Sequence, residues 1–339
     1  MRLTISQSSS CYCYAGEKTL VTGATGFLGR HLIKGLIAQN AQVRAMTRSD
    51  PQAAQFPDNV EYCRGALEDV ASLERACQDV VMIFHAAGHA HAWSDASPTA
   101  RQLHRRINAE GTCRLLQTAA KAGVQRFVFL SSVKAMGAGG KNCLDETWPL
   151  PPETPYGLAK REAEQQVIAC GHQYNMHTVN LRLALVYGPD GRGNLDRMIK
   201  AIRRGFFPPL PNIDNKRSMV HVDDVVQAAL RAGSCCEADR KTYIVTDGHA
   251  YSSREIYEMI CRALGKPIPN WYVPYGVLRS LAKIGDGLGW MRGKRMIFDS
   301  EALDKMLGWA WYRCDKIQAE LDYRPSFILA DALPAMVRT

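Results

Sequence analysis

A doubly wound α/β fold, in which a parallel sheet is followed by a smaller mixed domain, is predicted by three observations in this 339-residue chain. Short apolar runs of strand length alternate with helical patterns through the first half. That alternation implies right-handed βαβ units and a sheet covered on both faces. A glycine-rich turn, "TGATGFLG" (22–29), stands where the first strand passes into the first helix. From residue 189 the alternation loosens into a Pro-rich connection, "RRGFFPPLPNIDNKRSMV", and then into helices mixed with short extended pieces.

The elements follow in order. "KTLVTGA" (18–24) reads as a strand and "FLGRHLIKGLIAQN" as a helix, with "AQVRAMTR" and "VEYCRGA" (60–66) as the next two strands. Helix "ASLERACQ" leads to strand "DVVMIFHAAG", then to helix "RRINAEGTCRLLQTAAKAG" and strand "RFVFLSS". After the loop "WPLPPETP" come helix "YGLAKREAEQQVIACG" and strand "HTVNLRLALVYG". In open α/β sheets a ligand crevice forms at the carboxyl ends of the strands, and the C-terminal part is expected to roof it.

Composition narrows the function classes. Apolar residues make up 46% and charged residues 22%, ordinary for a globular chain. No apolar stretch approaches the ~18–20 residues that span a bilayer, so no membrane insertion is expected. The opening sixteen residues lack the apolar region of a secretory signal; they read as a loose tail on a cytoplasmic protein. Eleven cysteines are an odd and irregularly spaced set, without a matching His/Cys pair at zinc spacing, so reduced thiols and no metal are expected. The formal charge of +9 is scattered and lacks aromatic interleaving, which argues against nucleic acid. It is compatible with an acidic small substrate, or with solubility alone.

The glycine turn carries the first chemistry. Gly23 permits the tight turn, Gly26 lets backbone amides approach a pyrophosphate, and Gly29 lets the helix pack close to the strand. No Gly-Lys-Ser/Thr follows, so a dinucleotide rather than a mononucleotide triphosphate is expected. At the end of the second strand, Thr47 stands where a carboxylate would bind the 2′-hydroxyl of NAD, and Arg48 follows. An arginine beside that position favours the 2′-phosphate of NADP, with Asp50 near enough to keep NAD open.

"TPYGLAKREAE" (154–164) opens a helix, with Thr154 at the N-cap and Pro155 in the first turn. Tyr156 and Lys160 then lie one turn apart on the same face. A tyrosine of ordinary pKa ~10 is a poor base near neutrality. A neighbouring ammonium and a positive nicotinamide ring are expected to pull that value down. Ser132, ending the preceding strand, is placed to share a substrate oxygen with the tyrosine.

Together these residues resemble the extended short-chain dehydrogenase/reductase superfamily, in its NAD-dependent epimerase/dehydratase family. The likeness runs from about residue 18 to the C-terminus, through "TGATGFLG", "HAAG" (85–88), "INAEGT", "FLSS", "YGLAK", "LRLALVYGP" (181–189) and "RSMVHVDDVV" (217–226). It implies a catalytic set of Ser132, Tyr156 and Lys160, with Lys160 also holding the nicotinamide ribose. It implies cofactor contacts from Gly23, Thr25, Gly26, Phe27, Leu28, Gly29, Thr47, Arg48, Leu67, Ala86, Ala87 and Asn108. Substrate would meet Ser132, Lys134, Asn194 and Arg217, the arginine reaching a phosphate. A homodimer is implied as well.

Three departures bear on the reaction. The family's 4,6-dehydratases carry an Asp-Glu pair after the catalytic Ser/Thr; here Val133 and Lys134 stand there, so water elimination lacks its acid and base. The 4-epimerases usually carry Phe-Asn before the "VYGP" turn, and this chain has Ala184–Leu185. The family's Gly-Asp-Leu after strand three is Gly65-Ala66-Leu67, without the carboxylate that contacts adenine. "SSVKAMG" and "LRLALVYGP" are similar to reductases and dehydrogenases acting at C4 of N-acetylated UDP-sugars in polysaccharide assembly.

The resulting expectation is an NAD(P)-dependent enzyme working at C4 of a nucleotide-activated sugar, either epimerase or ketoreductase. The division expected is a tail over 1–16, a Rossmann domain over 17–188 rejoined by a strand near 242–247, and a substrate domain over most of 189–339. Reduction of an apolar ketone, and non-catalytic NADP binding, stay open. His85, His89 and His91 lack the partners of a metal site, and His221 is expected to pack beneath Arg217. The stripe in "YGVLRSLAKIGDGLGW" reads as a core or lid helix rather than a membrane anchor.

Overall fold

The computed structural model describes residues 12–48, 56–89, 97–191, 193–292, 296 and 298–338. Strand β1 (Lys18–Thr22) turns through glycine into helix α1 (Phe27–Ala38), which buries Leu32, Ile33 and Leu36. β2 (Gln42–Thr47), β3 (Val60–Arg64), α2 (Val70–Cys77) and β4 (Met82–His85) continue the alternation. α3 (Pro98–His104) then widens into a π-helical turn over Arg105–Glu110 before α4 (Gly111–Lys121) resumes the α-helix. β5 (Arg126–Ser132), α5 (Pro155–Tyr174) and β6 (His177–Leu183) complete the regular part. Thr154 caps α5 as its sequence predicts, its hydroxyl accepting from the Gly157 amide at 3.1 Å.

The remaining elements are β7 (Leu185–Tyr187), α6 (Asn194–Arg203), β8 (Arg217–His221), α7 (Val222–Ser234), β9 (Lys241–Val245) and β10 (Ala250–Tyr251). After them come α8 (Ser253–Ala263), α9 (Tyr275–Arg292), α10 (Ser300–Leu307), α11 (Asp315–Leu321) and α12 (Leu329–Met336).

Seven strands form one parallel sheet in the order β3-β2-β1-β4-β5-β6-β9. The order reverses between β1 and β4, and the crevice that opens at such a point receives ligands. Alternate residues serve the two faces, as a period of two requires. Val21, Phe84 and Val128 join one apolar cluster, while Leu20, Ile83, Phe127 and Phe129 join the other. The fold is the doubly wound α/β class that the alternation predicts.

The run "HTVNLRLALVYG", which reads as one strand, serves two sheets. The Ala184 amide still donates to the Val245 carbonyl at 3.1 Å, and beyond it β7 pairs with β8 instead. β10 adds antiparallel to β8, making a smaller mixed sheet. Around it a separate apolar cluster gathers Tyr187, Ile199, Met219, Ile256, Leu278 and Leu333.

Two expectations are corrected. Residues 12–16, expected to belong to a loose tail, are packed instead: Tyr14 is buried and its hydroxyl donates to the Leu230 carbonyl at 2.6 Å. The Tyr12 amide also donates to the Ser234 carbonyl at 2.9 Å, so residues 12–16 pack against α7; residues 1–11 lie outside the described residues. Helix α9 buries Leu278, Ala282 and Gly285, yet Val277, Leu281, Ile284 and Leu288 are exposed, so much of its apolar stripe faces away from any core. No helix among the described residues is long and apolar enough to cross a membrane.

Candidate active site

The glycine turn lies directly on the chain that leaves β4. Gly23 has φ +68°, and a Cβ there would come within 2.7 Å of the Ala87 nitrogen and 2.8 Å of the Ala86 carbonyl. Any side chain would fill the space between these two backbones. Gly26 begins α1 without a side-chain cap and with no acidic residue in the first turn. The helix end therefore offers its amides and positive pole to an anion. The site of a Gly29 Cβ is taken by the Gly23 carbonyl, so only glycine lets α1 approach so closely. This cradle fits a dinucleotide pyrophosphate.

Thr25, Phe27 and Leu28 flank the turn, Thr25 exposed and the other two half-buried. Thr47 is buried at the end of β2 and Arg48 is exposed beside it, while Asp50 lies outside the described residues. Leu67 is buried in the core, and a Cβ on Gly111 would come within 2.9 Å of its own.

A directional hydrogen-bond chain fixes the segment after β4. The Thr112 hydroxyl donates to the Asn108 carbonyl at 2.7 Å, so it accepts from His85 Nε2 at 2.9 Å. His85 Nδ1 is then an acceptor for the Thr22 hydroxyl at 2.6 Å. Burial, and next the charge of Lys160, lower the His85 pKa to about 3, which agrees with a neutral ring. Asn108, carried on the π-helical turn, accepts from the His89 amide at 2.7 Å and donates to the His89 carbonyl at 3.0 Å. His85 and Asn108 thus hold Ala86–His89 against the glycine turn. Among the described residues no group of three or more His, Cys, Asp or Glu is placed to hold a metal ion; His91 lies outside them.

Ser132, Tyr156 and Lys160 meet at the end of β5. Ser132 Oγ accepts from the Lys134 amide at 3.2 Å. Burial pushes the Tyr156 pKa up to about 12, and the nearby Ser132 side chain opposes that rise. Lys160 Nζ donates to the Leu130 carbonyl at 3.0 Å and lies 4.4 Å from the centre of the Phe129 ring, so its charge is directed at those groups. Burial draws the lysine down to about 8, and Glu164 partly opposes this.

The substrate side gathers cations. Lys134 keeps an exposed side chain, yet the protein packed around it, and then the charges of Arg217 and Lys305, pull it below the ordinary lysine range. Arg217 anchors by donating from Nη1 to the Gly308 carbonyl at 2.9 Å. Val133 packs with Met136, Leu144 and Ile244, against the half-buried Tyr312. Asn194 is exposed as the first residue of α6 and joins none of these residues by a hydrogen bond among the described residues. His221 does not pack beneath Arg217; it ends β8 and caps α7, with its ring 4.3 Å from Phe327 and 5.5 Å from Tyr187.

Four residues escaped the sequence reading. His104 stands edge-on to Tyr156, with ring centroids 5.7 Å apart, and its Nδ1 lies 3.3 Å from Asn108 Nδ2. Its i, i+4 relation to Asn108 was the available signal. Glu164 is four residues beyond Lys160; it takes the Ser131 hydroxyl at 2.6 Å and Arg182 at 2.8 Å. Lys305 and Tyr312 come from the distant C-terminal part and carry no local signal.

Residues 19–245 match the family described as NAD dependent epimerase/dehydratase. A UDP-glucose 4-epimerase of Vibrio cholerae is 31% identical over 282 residues, covering 80% of this chain and 85% of that protein. A 4-hydroxy-2-methyl-3-oxo-4-farnesyl-3,4-dihydroquinoline-1-oxide ketoreductase of Stigmatella aurantiaca is 30% identical over 276 residues, 80% of each chain. The solved structure of MoeE5 in complex with UDP-glucose and NAD superposes with a TM-score of 0.73 at 25% identity, covering 95% of this chain and 97% of that one.

Proposed function

The chain belongs to the NAD dependent epimerase/dehydratase family, and from that premise we propose that it moves a hydride at C4 of a nucleotide-activated sugar, a UDP-N-acetylhexosamine or its 4-keto derivative. The observation that carries this reading is the set of cations beside the reacting serine. Arg217 and Lys305 lie near enough to Lys134 to lower its pKa, and the Lys134 amide donates to Ser132, an arrangement that suits a diphosphate-linked sugar.

A bound nicotinamide dinucleotide supplies the carrier for the hydride. The residues that would hold it are the Gly23–Gly29 cradle, Ala86, Ala87 and Lys160. Tyr156, still protonated near neutrality, gives its proton to the C4 oxygen in the reductive direction and recovers it in the oxidative one. Ser132 donates a hydrogen bond to the same oxygen. Lys160 sits one turn along α5, fixed by Leu130. No carboxylate follows Ser132, and this supports hydride transfer without dehydration. Arg48 beside Thr47 supports a preference for NADP.

A second reading, reduction of a large apolar ketone, is supported by the identity to the Stigmatella ketoreductase. Lys134 weighs against it, since an apolar substrate would take water from its ammonium and offer no partner in return. Turnover should be measured on UDP-hexoses, UDP-N-acetylhexosamines, their 4-keto derivatives and a farnesylated ketone, with cofactor content after gel filtration. Epimerisation with retained NAD, or reduction with exchanged NADP, supports the first reading. Turnover of the ketone alone supports the second.

A further inference from the structure

Helix α9 presents an apolar stripe that nothing among the described residues covers. Val277, Leu281, Ile284, Leu288 and Met291 recur at i, i+4, i+7, i+11 and i+14, within an arc of roughly 80° along about 21 Å of helix. Leu281 is 49% exposed, Ile284 57% and Met291 73%. The helix docks onto the chain through a different face, that of Leu278, Ala282 and Gly285. Exposed Trp271, Tyr272 and Tyr275 stand at its beginning and exposed Trp290 near its end. A monomer rarely leaves so continuous an apolar strip in water.

The charges around the stripe identify its occupant. Arg279, Lys283 and Arg292 are exposed on α9. The helix carries one acid, Asp286, which is engaged by the Ser300 amide at 3.0 Å and the Ser300 hydroxyl at 2.5 Å. Of the nearby acids, Asp299 caps α10 and Glu301 pairs with Lys305 at 2.6 Å.

We propose that α9 is an interfacial helix by which this protein docks on an anionic lipid bilayer. The apolar stripe enters the boundary between headgroups and acyl chains, the cations meet anionic headgroups, and the tryptophans and tyrosines lie at headgroup level. This is peripheral binding, and it is independent of the reaction proposed above.

Flotation of the full chain with vesicles tests it. Wild type should float with phosphatidylcholine/phosphatidylglycerol vesicles and far less with phosphatidylcholine alone, and added salt should weaken the binding. Leu281→Asp with Ile284→Asp should reduce binding at least about tenfold. Arg279→Gln and Lys283→Gln should each cost about fivefold. All of these variants should keep the wild-type Tm and cofactor binding, since the altered side chains face solvent. Wild type left unfloated by phosphatidylglycerol vesicles would overturn the proposal, as would equal binding to both vesicle types or undiminished binding by the double Asp variant. A concentration-dependent dimer abolished by that variant, without flotation, would assign the stripe to a second copy instead.

Discussion

Lys160 donates its ammonium to the backbone carbonyl of Leu130 at 3.0 Å, which ties helix α5 to strand β5 two residues before Ser132. Burial lowers this lysine to about 8 from an ordinary value of 10.5, and stability and activity should respond in opposite directions. Between about pH 8 and 10.5 the unfolded chain holds a proton that the folded one has released, so this group makes stability rise with pH in that window. Turnover that needs the charged ammonium falls above about pH 8. Tm against pH for wild type and Lys160→Met, together with the pH profile of kcat, checks both signs; the variant should lose this contribution to the rise.

Glu164 and Arg182 form an ion pair at 2.8 Å, both side chains almost wholly buried and Ser131 hydrogen-bonded to the same carboxylate. Glu164→Gln leaves a buried guanidinium uncompensated and should cost about 3–5 kcal/mol of stability. Adding Arg182→Met should recover part of that loss. Urea unfolding of the single and double variants measures it.

Gly23→Ala meets two obstacles, a φ of +68° and a Cβ within 2.7 Å of the Ala87 nitrogen. The backbone conformation alone costs about 1–3 kcal/mol for a residue with a side chain. Thermal melts should show the loss, and titration with NAD and NADP should show weaker binding of both.

Lys134→Ala should raise the KM for a nucleotide sugar roughly tenfold, through loss of a charge-assisted contact, and leave cofactor affinity within about twofold. An unchanged substrate KM would remove Lys134 from the substrate side.

What was legible in the sequence was local. The glycine turn declares itself because φ and close approach demand glycine, and the α5 cap because Thr154-Pro155 precedes the periodic run. Tyr156 and Lys160 are neighbours by helical arithmetic, and the strand–helix alternation led to the sheet. What escaped depends on distant chain. Lys305 and Tyr312 reach the Ser132 region from the C-terminal part, and the strand break at Ala184 arises because β8 competes for Leu185–Tyr187. Spacing placed Lys160 near Tyr156, but it could not reveal that Leu130 would take the ammonium's hydrogen bond. Periodicity marked a stripe on α9 without saying whether anything covers it, and Tyr14 looked like tail because its partner carbonyl lies 216 positions away.

The central claim is that Tyr156 transfers the proton at the C4 oxygen of a nucleotide sugar. Its most direct test compares wild type with Tyr156→Phe on the best UDP-sugar substrate, cofactor binding being measured in parallel. The account predicts a fall in kcat of about 10²–10⁴-fold with cofactor affinity unchanged. Wild-type kcat in Tyr156→Phe, or no turnover of any nucleotide sugar by the wild type, would contradict it.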